Sequence, residues 1–351
     1  MRQRLFSRKE TNFAIRSVLL FIGLVIFLNL FMPLSFDREW KEVRVPEGVT
    51  YTQGIHILKT EGIIKDTFVF LILGRITMTD KKLRAGYYNL NASMSPWEIF
   101  NYLRKGRIIQ YAITIPEGST LDDIKSKLTA AKLIDEEAWK LVKDKSFISS
   151  LEIKAPNLEG YLYPETYNLA KGMDPKNILR IIVEKLRENF SDSLKQRAEK
   201  IGMSENEVLT LASIIEKEAR VDTERDMISA VYHNRLKKNM RLQADPTSIY
   251  GVKKMGEEIT KRDLKRRTPY NTYVIKGLPP GPIASPGIKS IKAALYPADV
   301  RYLYFVSKND GTHHFSVTDE EHLEAVMLYQ RGGDKENNLQ SKVHNEKKKA
   351  N

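Results

Sequence analysis

The clearest periodic pattern in the chain lies between residues 204 and 219, where apolar residues recur at helical spacing. At about 100° per residue they form one stripe, which contains Val208, Leu211, Ala212, Ile215 and Ala219. Ser204 followed by Glu207 is the pattern of a capping box at a helix start. The pattern predicts a helix that begins after Ser204 and ends near residue 220. Asp222 or Thr223 is predicted to cap a second helix, which continues through about residue 238.

Glu218 lies at the edge of this apolar stripe, in the last predicted turn of the helix. A carboxylate on an apolar face is partly removed from water, which raises its pKa. A carboxylic acid with a raised pKa can donate a proton near neutral pH. Two other interpretations stay open. Glu is a good helix former and is most often a solvated surface residue, and Glu216 is a neighbouring rival that is predicted to keep its charge in water.

A weak internal repeat occupies the first half of the chain. Residues 45–65 and 115–135 each contain a Pro-Glu-Gly sequence followed by an amphipathic segment. Each copy predicts a short strand, a turn and a helix capped near Thr52 or Thr120. Such β-α modules are common binding units, and the alternative is a spacer for the remainder of the chain.

Other segments add both helices and strands. The pattern predicts a helix over residues 66–75, a strand over 85–90 and a helix opened by Ser95 with proline in its first turn. Residues 302–306 and 315–317 are predicted to form a β-hairpin. The predicted fold class is therefore α+β, with a small β-α module followed by a larger mixed domain.

Residues 17–34 form an apolar run, SVLLFIGLVIFLNLFMPL, close to the ~17–20 residues that a membrane-spanning helix needs. Arg2, Arg4, Arg8, Lys9 and Arg16 precede it, so the positive-inside rule places the N-terminus in the cytoplasm. No small-residue cleavage site follows the run. We therefore expect an uncleaved single-pass anchor in the cytoplasmic membrane, with the remainder of the chain outside it.

Composition narrows the chemistry. The chain of 351 residues has no cysteine, which excludes disulfides, thiolate metal sites and cysteine nucleophiles. Its formal net charge of +13 would suggest nucleic acid in a cytoplasmic protein, but the predicted orientation of the anchor disfavours that partner. Anionic envelope polymers and lipid headgroups are the expected partners instead. The polar tail from Gly332 onward is predicted to be disordered.

Four segments after residue 156 are rich in turn-forming and polar residues. Residues 160–167, GYLYPETY, are predicted either to stack on sugar rings or to pack in a core. Gln243, Asp245 and Thr247 cluster around a proline, and TPYNTY follows at 268–273. Residues 277–287 hold four prolines and three glycines in eleven positions, and so constrained a loop suits the wall of a groove.

Three histidines lie close together in the chain, at His313, His314 and His322. Histidine is a common metal ligand, but adjacent residues of an extended segment point to opposite faces. No cysteine accompanies them. We expect no metal site here, and we interpret His313 as a groove contact.

The ordered motifs ASIIEKE at 212–218, Asn234-Arg235, MRLQADPT at 240–247, YNTY at 270–273 and GLPPG at 277–281 closely resemble those of the endolytic murein transglycosylases, the YceG-like family. The resemblance extends over about residues 46–330. It implies an N-terminal transmembrane helix, a small LysM-like β-α module and a larger catalytic domain with a lysozyme-like helical core. The corresponding boundaries are a cytoplasmic N-terminus at 1–16, the anchor at 17–34, LysM-like modules at 43–150, the catalytic domain at 156–331 and the tail at 332–351.

The resemblance also implies an activity. Glu218 is the catalytic acid of a lytic transglycosylase that cuts nascent peptidoglycan strands between N-acetylmuramic acid and N-acetylglucosamine. The products carry 1,6-anhydro-muramic ends, the cuts limit strand length, and no metal or other cofactor is required. Sugar contacts are predicted at Gln243, Asp245, Thr247, Tyr270, Asn271 and His313. The implied partners are glycan strands, the cytoplasmic membrane and cell-wall synthases.

Two alternatives remain at this point. One is a non-catalytic protein that binds peptidoglycan and serves as a scaffold for cell-wall synthesis. The other is a hydrolase that uses Glu218 together with a second carboxylate, Asp245, as base. A substitution of Glu218 by glutamine separates a binder from an enzyme, and the chemistry of the new chain ends separates a hydrolase from a transglycosylase.

Overall fold

The computed structural model describes residues 8–79 and 83–331, and its helices and strands confirm the mixed α+β class. The predicted tail at 332–351 lies outside the described residues. The helices are α1 (Arg8–Phe31), α2 (Tyr51–Thr60), α3 (Phe68–Ile76), α4 (Pro96–Arg104), α5 (Leu121–Ala130), α6 (Lys145–Ser150), α7 (Pro175–Asn189), α8 (Asp192–Lys200), α9 (Glu205–Glu218), α10 (Arg225–Lys237), α11 (Asp245–Ile249), α12 (Lys261–Leu264), α13 (Ile288–Leu295) and α14 (Asp319–Val326). Short 3₁₀ segments occur at Ala138–Lys143 and Asp222–Glu224, and a π turn at Met327–Arg331.

In the described residues the strands form three separate two-stranded sheets rather than one large sheet. They are β1 (Lys41–Val45), β2 (Gly86–Leu90), β3 (Gln110–Thr114), β4 (Thr166–Ala170), β5 (Tyr304–Ser307) and β6 (His313–Ser316). β1 pairs with β2, β3 with β4, and β5 with β6. The hairpin predicted near residue 302 is confirmed, with Tyr304 opposite Ser316 and Ser307 opposite His313.

The chain divides into two compact units. Among the described residues, the first contains 8–79, 83–112 and 168–173, and the second contains 113–167 and 174–331. The second Pro-Glu-Gly repeat therefore belongs to the same unit as Glu218, although the sequence pattern placed it with the first repeat. The predicted domain boundaries at 43–150 and 156–331 stay a prediction.

The first unit is built on the β1–β2 hairpin. Val43 faces Tyr88 in its register, and both side chains are buried. Helices α2 and α4 supply further core residues, among them Ile55 and Phe100. The alternating burial of β1 shows why a five-residue strand suffices here: every second side chain enters the core while its neighbours face water.

Both Pro-Glu-Gly repeats form the predicted strand, turn and helix. Thr50 and Thr120 each begin a helix with a complete capping box. Thr120 was predicted correctly, whereas the first cap is Thr50 and not Thr52. Gly48 and Gly118 occupy the left-handed region at φ 79° and 74°, which explains glycine at this position of each turn. The LysM-like identity of these modules stays a prediction.

Helix α1 overlaps the predicted transmembrane span at 17–34. Across the part of the chain that the structure describes, no helix combines the length and the apolar character needed to cross a membrane. The structure therefore does not confirm the predicted anchor.

Helix α9 is the centre of the second unit. The predicted capping box is confirmed, because Ser204 Oγ accepts the Glu207 N–H and the Glu207 carboxylate accepts the Ser204 N–H at 2.8 Å. Its middle turns are completely buried and pack against α8, α10, α11 and α13. A helix that is buried on nearly all sides is held rigidly, so the residue at its end is held rigidly as well.

The proline-rich loop at 277–287 runs along α9. Asn206 Nδ2 donates to the Pro280 carbonyl at 3.0 Å, Ser213 Oγ accepts the Ile283 N–H at 3.0 Å, and Glu216 accepts the Gly287 N–H at 2.9 Å. Residues 281–287 are buried. The loop therefore packs on α9 and fixes it, and the prediction that this segment forms a groove wall is wrong for these residues.

The aromatic segment at 160–167 also serves the core. Tyr161, Tyr163 and Tyr167 are at most 6% exposed. Tyr167 Oη donates to the Tyr163 carbonyl at 2.6 Å, and Tyr161 Oη donates to Asn206 at 3.3 Å. Of the two interpretations of this segment, core packing is confirmed, because buried rings offer no face to a sugar.

Candidate active site

Glu218 is the last residue of α9, and the chain leaves the helix at Ala219 in an extended conformation. This is the helix-to-helix corner that the sequence predicted. The residue is half-buried. Burial and, to a smaller extent, the nearby negative charge of Asp245 raise the pKa of Glu218 to about 8. At neutral pH the protonated carboxylic acid is therefore the main form, and the group can act as a proton donor.

Tyr232 is the closest side-chain partner of this acid. Its hydroxyl donates a hydrogen bond to Glu218 Oε1 at 3.3 Å. Tyr232 comes from the middle of α10, is 1% exposed and meets the ring of Phe305 edge-on. Because packing fixes the ring, the hydroxyl fixes the orientation of the carboxyl group.

Asp245 provides a second carboxyl group beside the first. It begins α11, its backbone amide hydrogen-bonds to Glu218, and its side chain is exposed. Tyr273 Oη donates to Asp245 Oδ1 at 2.5 Å. The two carboxyl groups thus differ in environment, one half-buried and protonated, the other exposed and hydrogen-bonded, which is how proteins separate the roles of two acids.

Arg235 shapes the turn that leads to Asp245. It is buried, and its Nη1 donates to the Leu242 carbonyl at 2.8 Å and to Gln243 Oε1 at 3.1 Å. Gln243 has φ of 51°, a left-handed conformation that a residue other than glycine adopts only when its surroundings hold it there. Gln243 is exposed and lies two positions before Asp245 in the chain.

Thr247 and Asn271 lie beneath the site and not in it. Both are completely buried. The Thr247 hydroxyl lies 2.8 Å from that of Thr272, and Asn271 Nδ2 donates to the carbonyls of Arg266 and Asp263 at 2.7 and 3.1 Å. Their polar groups are already engaged within the chain, so they hold the loops together. The structure gives neither of them direct access to a sugar.

Tyr270 lies at the other end of α11. Its ring contacts that of Tyr250, with 4.5 Å between centroids, and it is half-buried. Tyr250 Oη in turn donates to Glu159 Oε2 at 2.9 Å. Burial raises the pKa of Glu159 to about 7, but this carboxyl group is 2% exposed and accepts the first N–H of α5 from Leu121. Glu159 therefore caps a helix and is a poorer acid candidate than Glu218.

His313 is paired with Glu224. Its Nδ1 lies 2.7 Å from Glu224 Oε2, its N–H donates to Glu224 Oε1 at 2.9 Å, and its side chain is 9% exposed. Its ring contacts Phe305 edge-on, and Phe305 also contacts the ring of Tyr232. The groove contact of His313 stays a prediction. Within residues 8–79 and 83–331, no group of three or more His, Asp or Glu side chains is placed to hold a metal ion.

Two further expectations for this region are wrong. Glu216 is not solvated, because its side chain is 6% exposed and pairs with Arg225 Nη1 at 3.1 Å. Asp222 and Thr223 do not cap α10. Asp222 instead accepts from Arg225 Nε at 3.1 Å and pairs with Lys289. The tertiary structure uses these charges to join α9, α10 and α13.

Sequence reasoning missed three residues of the site, which are Tyr232, Tyr273 and Arg235. Tyr232 lies one predicted helix later, fourteen residues from Glu218, and only the packing of α10 against α9 brings the two together. Arg235 and Tyr273 lay inside recognised motifs, but nothing in the one-dimensional pattern indicated that an arginine would be buried against backbone carbonyls.

The fold and the site define a protein of the α+β class that has a glutamate of raised pKa at the end of a buried helix, next to an exposed carboxylate. The sequence profile of the YceG-like family matches residues 43–327, and the chain belongs to this family.

Several known proteins are similar over most of the chain. A protein of Bacillus subtilis (strain 168) named endolytic murein transglycosylase is 32% identical over 321 residues, which is 86% of this chain and 88% of the relative. A protein of the same name from Streptococcus pneumoniae serotype 2 (strain D39) is 29% identical, and the match spans 86% of this chain and 61% of the relative. A crystal structure of a YceG-like protein from Listeria monocytogenes is 35% identical, with a TM-score of 0.56, and covers 82% of this chain and 100% of that chain.

Proposed function

We propose that the chain is an endolytic murein transglycosylase, a lyase that cuts peptidoglycan strands internally. The observation that carries the proposal is the raised pKa of Glu218, about 8, at a half-buried position beside a hydrogen-bonding hydroxyl. Cleavage of a glycosidic bond requires an acid that is still protonated at neutral pH and can protonate the leaving oxygen. Membership of the YceG-like family and the names of the relatives support the same activity.

The proposed reaction needs one acid that acts twice. Glu218 gives its proton to the oxygen between N-acetylmuramic acid and N-acetylglucosamine, and the bond from C1 of the muramic residue to that oxygen breaks. The Glu218 carboxylate then accepts the proton of the C6 hydroxyl as its oxygen bonds to C1. The products are a 1,6-anhydro-muramic end and a free N-acetylglucosamine hydroxyl. No water is consumed, and the proton returns to Glu218.

Asp245 and Gln243 are the proposed supporting groups. Both are exposed, and Asp245 lies close enough to Glu218 to raise its pKa. The negative charge of Asp245 suits the positive charge that develops at C1 in such reactions. Tyr270 is half-buried against Tyr250, and its sugar contact stays part of the proposal. Thr247, Asn271 and His313 contribute by holding loops in place.

A hydrolase with Asp245 as base is the second candidate, because Asp245 is a carboxyl group close enough to shift the pKa of Glu218. A non-catalytic scaffold is disfavoured, because a binder gains nothing from a desolvated acid. We further propose that the protein works where murein lies, outside the cytoplasmic membrane, and that its cuts limit strand length. Its contacts with cell-wall synthases stay a prediction from the family resemblance.

The test incubates the full-length chain with purified peptidoglycan and identifies the new chain ends by mass spectrometry. Glu218→Gln keeps the shape of the side chain and removes its acidity. Glu188→Gln is the matched control, because Glu188 is a helical glutamate whose side chain is 65% exposed. We expect anhydro-muramic ends from the wild type and from Glu188→Gln, and none from Glu218→Gln.

If the wild type produced reducing muramic ends, the protein would be a hydrolase and not a transglycosylase. Equal cleavage by Glu218→Gln and the wild type would remove Glu218 from the chemistry. Glycan binding without cleavage by any of the three proteins would support the scaffold.

A further inference from the structure

The first unit carries a groove with a volume of about 720 Å³ that the catalytic proposal does not use. Its lining includes two tryptophans, Trp40 and Trp97, and the ring of Tyr102. The groove lies between the segment before β1 and the exposed face of α4.

Both tryptophans are unusually exposed. Trp40 is 54% and Trp97 38% exposed, whereas Trp139, the third tryptophan of the chain, is 8% exposed and lies in the second unit. Tryptophan carries the largest apolar surface of any side chain, so two exposed rings in one groove indicate a surface that a partner covers.

Three cations surround these rings, namely Arg38, Lys105 and Arg107. None of them forms an ion pair with a carboxylate of the described residues. The lining contains one carboxylate, Glu98, which accepts hydrogen bonds from the N–H and hydroxyl of Ser95 at the start of α4. The groove therefore presents an excess of positive charge, and its partner is expected to be anionic.

Two polar side chains of the groove already form hydrogen bonds within the chain, which leaves fewer groups to bind the hydroxyls of a sugar. Asn91 Oδ1 already accepts from the N–H and the hydroxyl of Ser93, and Asn101 Nδ2 donates to the Trp97 carbonyl. Aromatic rings and cations are the groups left to bind a partner. Tryptophan together with Lys and Arg is the combination found where proteins meet lipid headgroups.

The surface next to the groove is apolar as well. Phe31, Met32 and Leu34 are 42–57% exposed, and Phe36 is 86% exposed. These residues precede Trp40 in the chain. Met32 and Leu34 line a neighbouring cavity that shares Met94 with the groove. Water-facing protein surfaces seldom expose so many large apolar side chains in ten residues.

We propose that the surface formed by Trp40, Trp97, Arg38, Lys105 and Arg107 binds anionic lipid headgroups at a membrane surface. The tryptophan rings enter the headgroup layer, and the three cations contact the lipid phosphates. This surface would hold the first unit against the membrane by electrostatic and interfacial contacts, which are distinct from any insertion of a helix.

The test measures how well a water-soluble quencher, acrylamide, reaches the tryptophans of the full-length chain in lipid nanodiscs. Trp139→Phe in every protein leaves Trp40 and Trp97 as the only fluorophores of this type. The nanodiscs contain phosphatidylcholine alone or with about 30% phosphatidylglycerol as anionic lipid. Proteins that keep Trp139, whose buried ring adds a constant background, replace this series if Trp139→Phe does not fold.

We expect the quenching constant to fall about twofold or more when anionic lipid is present, because the rings leave water. The combined variant Arg38→Gln, Lys105→Gln and Arg107→Gln should lose this difference. The matched control Lys59→Gln, Lys65→Gln and Arg75→Gln removes the same charge from exposed positions of the same unit outside the groove, and should keep it.

Three results would overturn the proposal. Equal quenching in both kinds of nanodisc would show that anionic lipid is not recognised. Equal loss in the control variant would show a general charge effect. Protection of the tryptophans by soluble peptidoglycan fragments without lipid would make the groove a glycan site instead.

Discussion

The Tyr232 hydroxyl donates a hydrogen bond to Oε1 of Glu218 at 3.3 Å, and the two residues come from different helices, α10 and α9. Burial raises the pKa of Glu218, whereas this hydrogen bond lowers it. Tyr232 therefore both orients the acid and moderates its pKa, so that the proton can still leave.

The first prediction concerns this hydrogen bond. Tyr232→Phe should raise the pKa of Glu218 above its value of about 8, because the hydrogen bond favours the carboxylate. The alkaline limb of the pH profile of kcat/KM should move to higher pH, while kcat falls by up to about tenfold through lost orientation. Tyr296→Phe, at a 48% exposed ring, is the control and should change neither. A fall in kcat with an unmoved alkaline limb would contradict the assignment.

The second prediction concerns Asp245. Its negative charge raises the pKa of Glu218, so Asp245→Asn should lower that pKa and move the alkaline limb to lower pH, opposite to Tyr232→Phe. The activity should therefore fall most above neutral pH. Asp192→Asn, at a side chain that is 89% exposed, serves as the control. The measurement is the pH dependence of kcat/KM for both variants, and an upward shift with Asp245→Asn would be inconsistent with the structure.

The third prediction links the acid to stability. A folded-state pKa above the usual 4.5 means that the folded protein holds the proton more tightly than the unfolded chain. The contribution of Glu218 to stability is fully present below pH 4.5 and is lost as the pH rises through about 8. Glu218→Gln has no such loss. We expect it to be more stable than the wild type by about 3–5 kcal/mol at pH 9, with little difference at pH 4. Denaturant unfolding at both pH values tests this, and a difference that does not grow with pH would argue against a raised pKa.

The fourth prediction concerns Gly160. It has φ of 79°, and a Cβ there would lie 2.4 Å from Cβ of Pro282 in the proline-rich loop. Gly160→Ala should lower the free energy of unfolding by about 3 kcal/mol or more. The strain of the left-handed backbone and the clash of the new methyl group with the Pro282 ring both contribute. Gly202 has φ of 74° with no atom within 4 Å of its Cβ position, so Gly202→Ala should cost only about 1 kcal/mol. Similar losses for both substitutions, measured by denaturant unfolding, would show that the loop moves away freely.

The fifth prediction compares a buried with an exposed ion pair. Arg225→Met leaves the Glu216 carboxylate, 6% exposed, without its cation, and should cost about 3–5 kcal/mol in unfolding free energy. Lys185→Met breaks the exposed pair with Glu188 and should cost less than about 1 kcal/mol. The double variant Arg225→Met with Glu216→Met should recover much of the loss, because no unpaired charge remains buried. No recovery would show that Arg225 acts mainly through its contacts with Ser290 and Asp222.

The local structure of this protein follows closely from its sequence. The helix that carries Glu218, its capping box at Ser204 and Glu207, the hairpin near Tyr304 and the two Pro-Glu-Gly turns are all present as predicted. Capping, turn formation and helical periodicity act over a few residues, so the residues that produce them are neighbours in the chain.

The sequence did not indicate how four polar residues are paired. It placed Glu216 in water and predicted sugar contacts for Asn271, Thr247 and His313, whereas in the structure other residues of the chain engage the polar groups of all four. A polar group is buried only where a partner forms a hydrogen bond or ion pair with it. The pattern of residues along the chain does not identify that partner.

The sequence by itself determined that Glu218 ends an apolar helix, and hence that its pKa would be raised by the loss of water around it. Only the tertiary structure decided what surrounds that acid: the hydroxyl of Tyr232 from α10, the carboxylate of Asp245 from α11, and the proline-rich loop that holds α9. Desolvation of a side chain at a helix end is encoded by its immediate neighbours. The hydrogen bonds and charges that tune the acid depend on how separate helices pack, which is a property of the whole unit.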